Sequence, residues 1–186
     1  MFIQTETTPN PESLKFVPGV DVMGSAAPCQ FSSVRQAIRS PLAQALFTIP
    51  QVQTVFLGSD FITVTKAADA EWLLLKPEIL IAIMDHFVAG KPVTIEVDAP
   101  LDEPQVEDNE IVTQIKELIE SHVRPAVAQD GGDIEFHSFE DGIVYLKMHG
   151  ACSGCPSSTV TLKNGIETML KHYVPEIMAV EAVEEA

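Results

Sequence analysis

Residues 97–110 read V-D-A-P-L-D-E-P-Q-V-E-D-N-E, with two prolines, six acidic side chains and few apolar residues. Proline stiffens such a stretch and like charges extend it, and it offers little that a core could use. Long unpatterned segments are uncommon inside compact domains, so the stretch reads as a tether between two modules rather than a surface loop. A chain of 186 residues suffices for one ordinary domain or two small ones. The acidic stretch decides for two: residues 1–90, a linker over 91–107, and residues 108–186.

Upstream of the tether, F-I-Q-T and S-L-K-F-V flank T-P-N-P, a turn composition, and predict a strand pair within the first 17 residues. In S-P-L-A-Q-A-L-F, Ser40 suits an N-cap and Pro41 the first helical position. V-Q-T-V-F-L and F-I-T-V-T-K on either side of G-S-D predict a hairpin. P-E-I-L-I-A-I-M-D-H-F-V-A-G predicts a helix that begins at Pro77, stops at Gly90 and buries Leu80, Ile83, Met84, Phe87 and Val88.

Downstream, Ile111, Ile115, Leu118, Ile119 and Val123 recur at helical spacing, and Pro125 marks a break or kink. D-I-E-F-H-S-F and I-V-Y-L-K-M around E-D-G form the strongest short hairpin signal in the chain. Leu162, Ile166, Met169, Leu170 and Tyr173 define a second helix, ended by Val174-Pro175, and I-M-A-V-E-A-V is a closing strand. The fold class is therefore α+β: two small α+β domains joined by an acidic, Pro-containing linker.

Eleven basic against 27 acidic residues leave a net charge of -16. Phosphate contacts need Lys and Arg, so neither nucleic acid nor an anionic membrane surface is an expected partner. Residues 1–100 hold 6 basic and 10 acidic side chains and residues 101–186 hold 5 and 17, so the acidity concentrates in the second half. No apolar run approaches the roughly 20 residues that span a bilayer. The start, M-F-I-Q-T-E-T-T-P-N-P, has neither an export signal nor an Arg-rich amphipathic address. Three cysteines are too few for a disulfide framework, and thiols that are not exported stay reduced.

Two of the three stand together in G-A-C-S-G-C-P-S-S, residues 150–158, between a strand end and a helix start. A helix N-terminus favours thiolate, so Cys152 and Cys155 are expected to ionise easily. Gly150 and Gly154 let the backbone curl around whatever both sulfurs bind. Four readings follow. A thioredoxin-like dithiol would place C-x-x-C similarly, but it would follow a strand-helix-strand unit rather than a hairpin. Zinc would need further ligands, for which His137, His149 and His172 are poorly spaced. Packing as two small hydrophobes ill suits the Gly and Ser neighbours. An iron-sulfur cluster needs four thiolates, and two copies about a two-fold axis would supply them. Cys29, without a ligand-spaced neighbour, reads as an incidental half-buried thiol. Asp130 and Asp133 shape the turn before the first strand, with Gly131 and Gly132 supplying backbone freedom. Ser157 and Ser158 are helix-start residues rather than nucleophiles.

The stretch G-A-C-S-G-C-P-S-S, followed by T-L-K-N-G-I-E and preceded by R-P-A-V-A-Q-D-G-G-D, resembles the NifU C-terminal domain, the Nfu-type iron-sulfur scaffold domain. The first half, with F-I-Q-T-E-T-T-P-N-P-E-S-L-K-F-V-P-G, is similar to the Nfu amino-terminal domain. The resemblance implies that Cys152 and Cys155 bind a [4Fe-4S] cluster bridging a homodimer, one cluster per dimer. It also implies a carrier, not an enzyme, which receives clusters from upstream cluster assembly proteins and delivers them to apo iron-sulfur proteins. The alternative on the same residues is a dithiol oxidoreductase. With no presequence in view the reading favours a bacterial cytoplasmic protein, the mitochondrial matrix being the place of a trimmed mature form.

Overall fold

The structure, a computed structural model, describes residues 2–95, 110–153 and 156–183, with side chains from 159 onward in the last stretch. The expected tether, except for Glu110, lies outside the described residues, as do Gly154 and Cys155. The chain forms two compact units, Met1–Ala99 and Pro100–Ala186, each α+β.

In the first unit, β1 (Gln4–Thr7) and β2 (Ser13–Val17) form the expected strand pair. Their turn closes on Asn10, whose Oδ1 accepts from the Glu12 N-H at 3.0 Å and whose carbonyl accepts from the Ser13 N-H at 3.0 Å. β3 (Cys29–Phe31), α1 (Pro41–Phe47), β4 (Val52–Leu57), β5 (Ile62–Lys66) and α2 (Trp72–Val88) follow. The antiparallel sheet runs β1-β2-β5-β4-β3. Ser40 caps α1 as its sequence suggests: Oγ accepts from the Ala43 N-H at 3.1 Å and donates to the Val93 carbonyl at 2.5 Å. The three-residue β3 was not anticipated, since so short a strand carries too little pattern to stand out.

Helix α2 departs from expectation at both its start and its face. It begins at Trp72, so Pro77 lies inside it rather than at its first turn. An interior proline forfeits one hydrogen bond, here the one that would reach the Leu73 carbonyl. Tertiary anchors offset that loss: the Trp72 indole donates to the Pro11 carbonyl at 3.0 Å and Leu75 is buried. These anchors turn Leu75, Ile79, Ile83 and His86 to the core, while Met84 and Val88, expected inside, face solvent.

The second unit opens with α3 (Glu110–Leu118), a π-helical stretch at Ile119–Val123 and α4 (Arg124–Gln129). Pro125 does not break the helix. The winding widens ahead of it, with the Arg124 N-H reaching the Ile119 carbonyl, and Val123 and Val127 both stay in the core. β6 (Gly132–Glu140) and β7 (Ile143–Gly150) pair antiparallel across Asp141-Gly142. Both turn residues have positive φ, 49° and 79°, as the two-residue turn of a twisted hairpin requires. α5 (Pro156–Tyr173) then crosses over to β8 (Ala179–Val183), which runs parallel to β7. Ile115, Ile119, Val123 and Val127 from the first helical run pack with Ile166, Leu170 and Val174 against Ile134, Val144, Leu146 and Val180. Tyr173 was expected on that face but is 49% exposed, and Val174, just past the helix end, is buried instead.

Candidate functional site

Pairing of β6 with β7 brings two glycine-rich turns together at one end of the hairpin, Gly132 facing Gly150 and Asp133 facing His149. Gly131 and Gly150 have φ of 78° and 64°, conformations that side chains with a Cβ avoid. The Ala151 N-H donates to the Gly131 carbonyl at 3.1 Å and the Ser153 N-H to the Gly150 carbonyl at 3.2 Å. Ser153 Oγ donates to the same Gly150 carbonyl at 2.9 Å. The chain is thereby folded back over the start of β6 before it enters α5.

This turn lays Cys152 on Gly132. A Cβ added to Gly132 would stand 2.3 Å from Cys152 Sγ, nearer than real Cβ contacts come, and 3.2 Å from Cys152 Cβ, a tight contact. Gly132 therefore supplies room for the sulfur, not the backbone freedom expected of it, which Gly131 alone provides. Cys152 is a free thiol and buried, and Thr159 Oγ1 donates to its carbonyl at 3.3 Å.

The expected acidity of Cys152 is reversed. Burial, then the charges of Asp130 and Asp133, push its thiol up to about 12. The sulfur packs against the core of the unit and beside two carboxylates, and both disfavour the thiolate. Such a thiol is a poor nucleophile, whereas bonding to a metal ion removes its proton outright.

Asp133 does more than shape a turn. Its carboxylate takes Arg124 Nε and Nη2 at 2.8 Å each, a bidentate pair, while Arg124 Nη1 holds Glu120 at 2.6 Å. The π-helical stretch sets Arg124 for this contact, one residue before Pro125. The two carboxylates hold the guanidinium well above its usual range despite its partial burial. The pair ties α4 to the strand that carries Gly132. Sequence reasoning missed it because it depends on how Pro125 is accommodated.

The histidines weighed for a mixed zinc site are not gathered at Cys152. His149 Nε2 lies 3.4 Å from Glu135, whose carboxyl it holds below the usual range, and His172 packs edge-on against Tyr173. His137 sits at the β6 irregularity between Phe136 and Ser138. Among the described residues no three His, Cys, Asp or Glu side chains form a metal-ligand group. Cys29, in the first unit, is half-buried on β3, and burial pushes its thiol up to about 11 against the opposing charge of Arg39.

Residues 3–90 match the family model described as scaffold protein Nfu/NifU N terminal, and residues 115–181 match that of the NifU-like domain. The chain is 53% identical over 184 residues to the Drosophila willistoni protein named NFU1 iron-sulfur cluster scaffold homolog, mitochondrial, covering 98% of this chain and 64% of that one. It is 52% identical over 187 residues to the Drosophila ananassae protein of the same name, covering 100% of this chain and 65% of the relative. The chain thus spans just under two thirds of the length of these relatives. A solution NMR structure of a NifU-like protein from Saccharomyces cerevisiae is 27% identical, with a TM-score of 0.47, and covers 52% of this chain and 87% of that one. An Nfu-type first half and a NifU-like second half, with near-complete coverage of this chain by the Drosophila relatives, place the protein in the Nfu/NifU-like family.

Proposed function

We propose that the chain is an iron-sulfur cluster scaffold and carrier rather than an enzyme. Cys152 and Cys155 hold a [4Fe-4S] cluster shared between two protomers, one per dimer, and pass it to apo iron-sulfur proteins. The observation that carries this reading is the free Cys152 seated on Gly132 at the strand end, without a further ligand group gathered around it among the described residues. A pair of thiolates from each of two copies completes the four that such clusters take. The Drosophila relatives are named cluster scaffold homologs, which supports the same role here. The word mitochondrial in those names supports a mitochondrial location, of which the matrix is the compartment proposed. The bacterial cytoplasm, expected from the first residues, finds no support in them.

The cluster is cargo. Thiolates of an apo-protein replace Cys152 and Cys155 on iron one at a time, each arriving sulfur matched by one leaving, so the cluster keeps its charge and composition. No bond in an organic substrate breaks and no general acid or base is required. Upstream assembly proteins are the donors.

The test is anaerobic reconstitution with iron and sulfide, followed by visible spectra before and after mixing with an apo acceptor enzyme. The chain should turn brown and pass its absorbance to the acceptor. Cys152→Ala and Cys155→Ala should each remove the colour and Cys29→Ala should leave it. A brown Cys152→Ala protein would sink the ligand assignment. A chain that stays colourless but reduces disulfides would favour the dithiol oxidoreductase.

A further inference from the structure

The outward face of α2 is apolar where a solvent-facing helix surface is ordinarily polar. Leu74, Ile81 and Val88 recur every seven residues, and Pro77 and Met84 follow the first two by three. With Leu73 beside Leu74, they form one stripe opposite the core-facing Leu75, Ile79, Ile83 and His86. Leu73 is 84% exposed, Leu74 70% and Val88 75%, and Ile81, Met84 and Pro77 are exposed as well. Six such side chains in a row make a patch on the order of a few hundred Å², comparable with the largest apolar patch of a typical monomer, which is often functional.

The stripe has a charged edge. Glu71, Glu78 and Asp85, again seven apart and all exposed, run along one side of it. Among the described residues no cation forms an ion pair with any of the three. In heptad terms Leu74, Pro77, Ile81, Met84 and Val88 occupy the apolar seam and the three acids one flanking position. Those are the places where helix pairs choose partners by charge.

We propose that this face of α2 is a docking surface for a helix of another protein, apolar along one stripe and edged with lysine or arginine. The repeat of seven fits a helix rather than an extended peptide. The acidic edge selects basic residues and disfavours an anionic membrane. In an antiparallel two-fold pair of α2 helices this edge would meet its own copy, like charge against like, so a second copy of the chain is the poorer occupant. The inference stands independently of the cluster, since it concerns only the first unit.

The probe is a synthetic 21-residue helical peptide with leucine along its seam and lysine at both edges, fluorescently labelled and titrated into the full chain. A second peptide carries glutamate in place of lysine. The lysine peptide should bind at least ten-fold more tightly than the glutamate peptide, and Ile81→Asp should weaken it at least ten-fold. The double variant Glu78→Lys with Asp85→Lys should reverse the preference between peptides. Glu117→Lys with Glu140→Lys, the same charge change in the other unit, should leave it unaltered. Circular dichroism confirms folding of each variant, which the exposed positions make expected.

Equal binding by the Ile81→Asp protein, or equal loss with the charge change in the other unit, would reduce the effect to bulk charge and overturn the proposal. Three results would assign the face elsewhere and overturn it equally: self-association abolished by Ile81→Asp, binding to phosphatidylcholine vesicles that needs Ile81, or cross-links from a cysteine placed at Ile81 to residues 110–183 of the same chain.

Discussion

Gly132 matters for the atom it lacks. The space a Cβ would fill is occupied by Cys152 Sγ, so Gly132→Ala must push the sulfur or the turn aside. Overpacking of this kind costs about 1–3 kcal/mol. We expect Gly132→Ala to lower the unfolding midpoint of the second unit and to abolish cluster retention, read by denaturant titration and visible absorbance. Full retention would show that Cys152 need not sit where it does. At this scale the cysteine pair was legible because spacing and flanking glycines are local properties. The use made of Gly132 was not, because it depends on which residue of β7 the strand meets. The acidity assigned to Cys152 failed for a related reason: the helix start is written in sequence, but the core and two carboxylates around the sulfur are assembled by folding.

Elements were legible wherever their signals were local. The Ser40 cap, the Asp141-Gly142 turn and the Val174-Pro175 stop sit where the sequence puts them, because cap and turn chemistry acts over a few residues. Prolines misled twice, at Pro77 and at Pro125, since the surrounding structure decides whether a helix tolerates one. At Pro125 the accommodation has a measurable consequence. Arg124→Met leaves the buried Asp133 carboxylate without its bidentate partner and should destabilise the second unit by about 2 kcal/mol, with Arg124→Lys in between. An unchanged urea midpoint would mean that water replaces the guanidinium without loss.

On α2, His86 is buried with no hydrogen-bond partner for Nε2, and burial together with the charge of Lys91 lowers its affinity for protons. Its folded pKa therefore lies below that of the unfolded chain, near 6.5. The stability this neutral imidazole maintains is fully present above that value. It is lost as the pH falls through it, because the unfolded chain takes up the proton first. Trp72, the single tryptophan, reports on the first unit. Its fluorescence should show a urea midpoint that drops between pH 7.5 and 5, and a smaller drop in His86→Phe. Identical drops would exonerate His86.

For the molecule as a whole, charge and the proposed shared cluster would act against each other. A net charge of -16 per chain opposes bringing two copies together, and nothing but the proposed shared cluster is asked to hold them. The cluster-loaded dimer should accordingly dissociate more readily at 20 mM salt than at 500 mM, as light scattering would record, because screening relieves the repulsion. A dimer indifferent to salt would place the contact where charge is sparse. The two-unit α+β plan was legible from the acidic stretch at 97–110, since a segment that cannot join a core announces a boundary by composition alone. What two copies do together is not written in one chain. The most direct test is native mass spectrometry and Mössbauer spectroscopy on the same anaerobically reconstituted sample. The expected result is a [4Fe-4S] signal at one cluster per two chains, with apo-protein at the monomer mass. A cluster-loaded monomer, or a colourless chain that retains zinc, would contradict it.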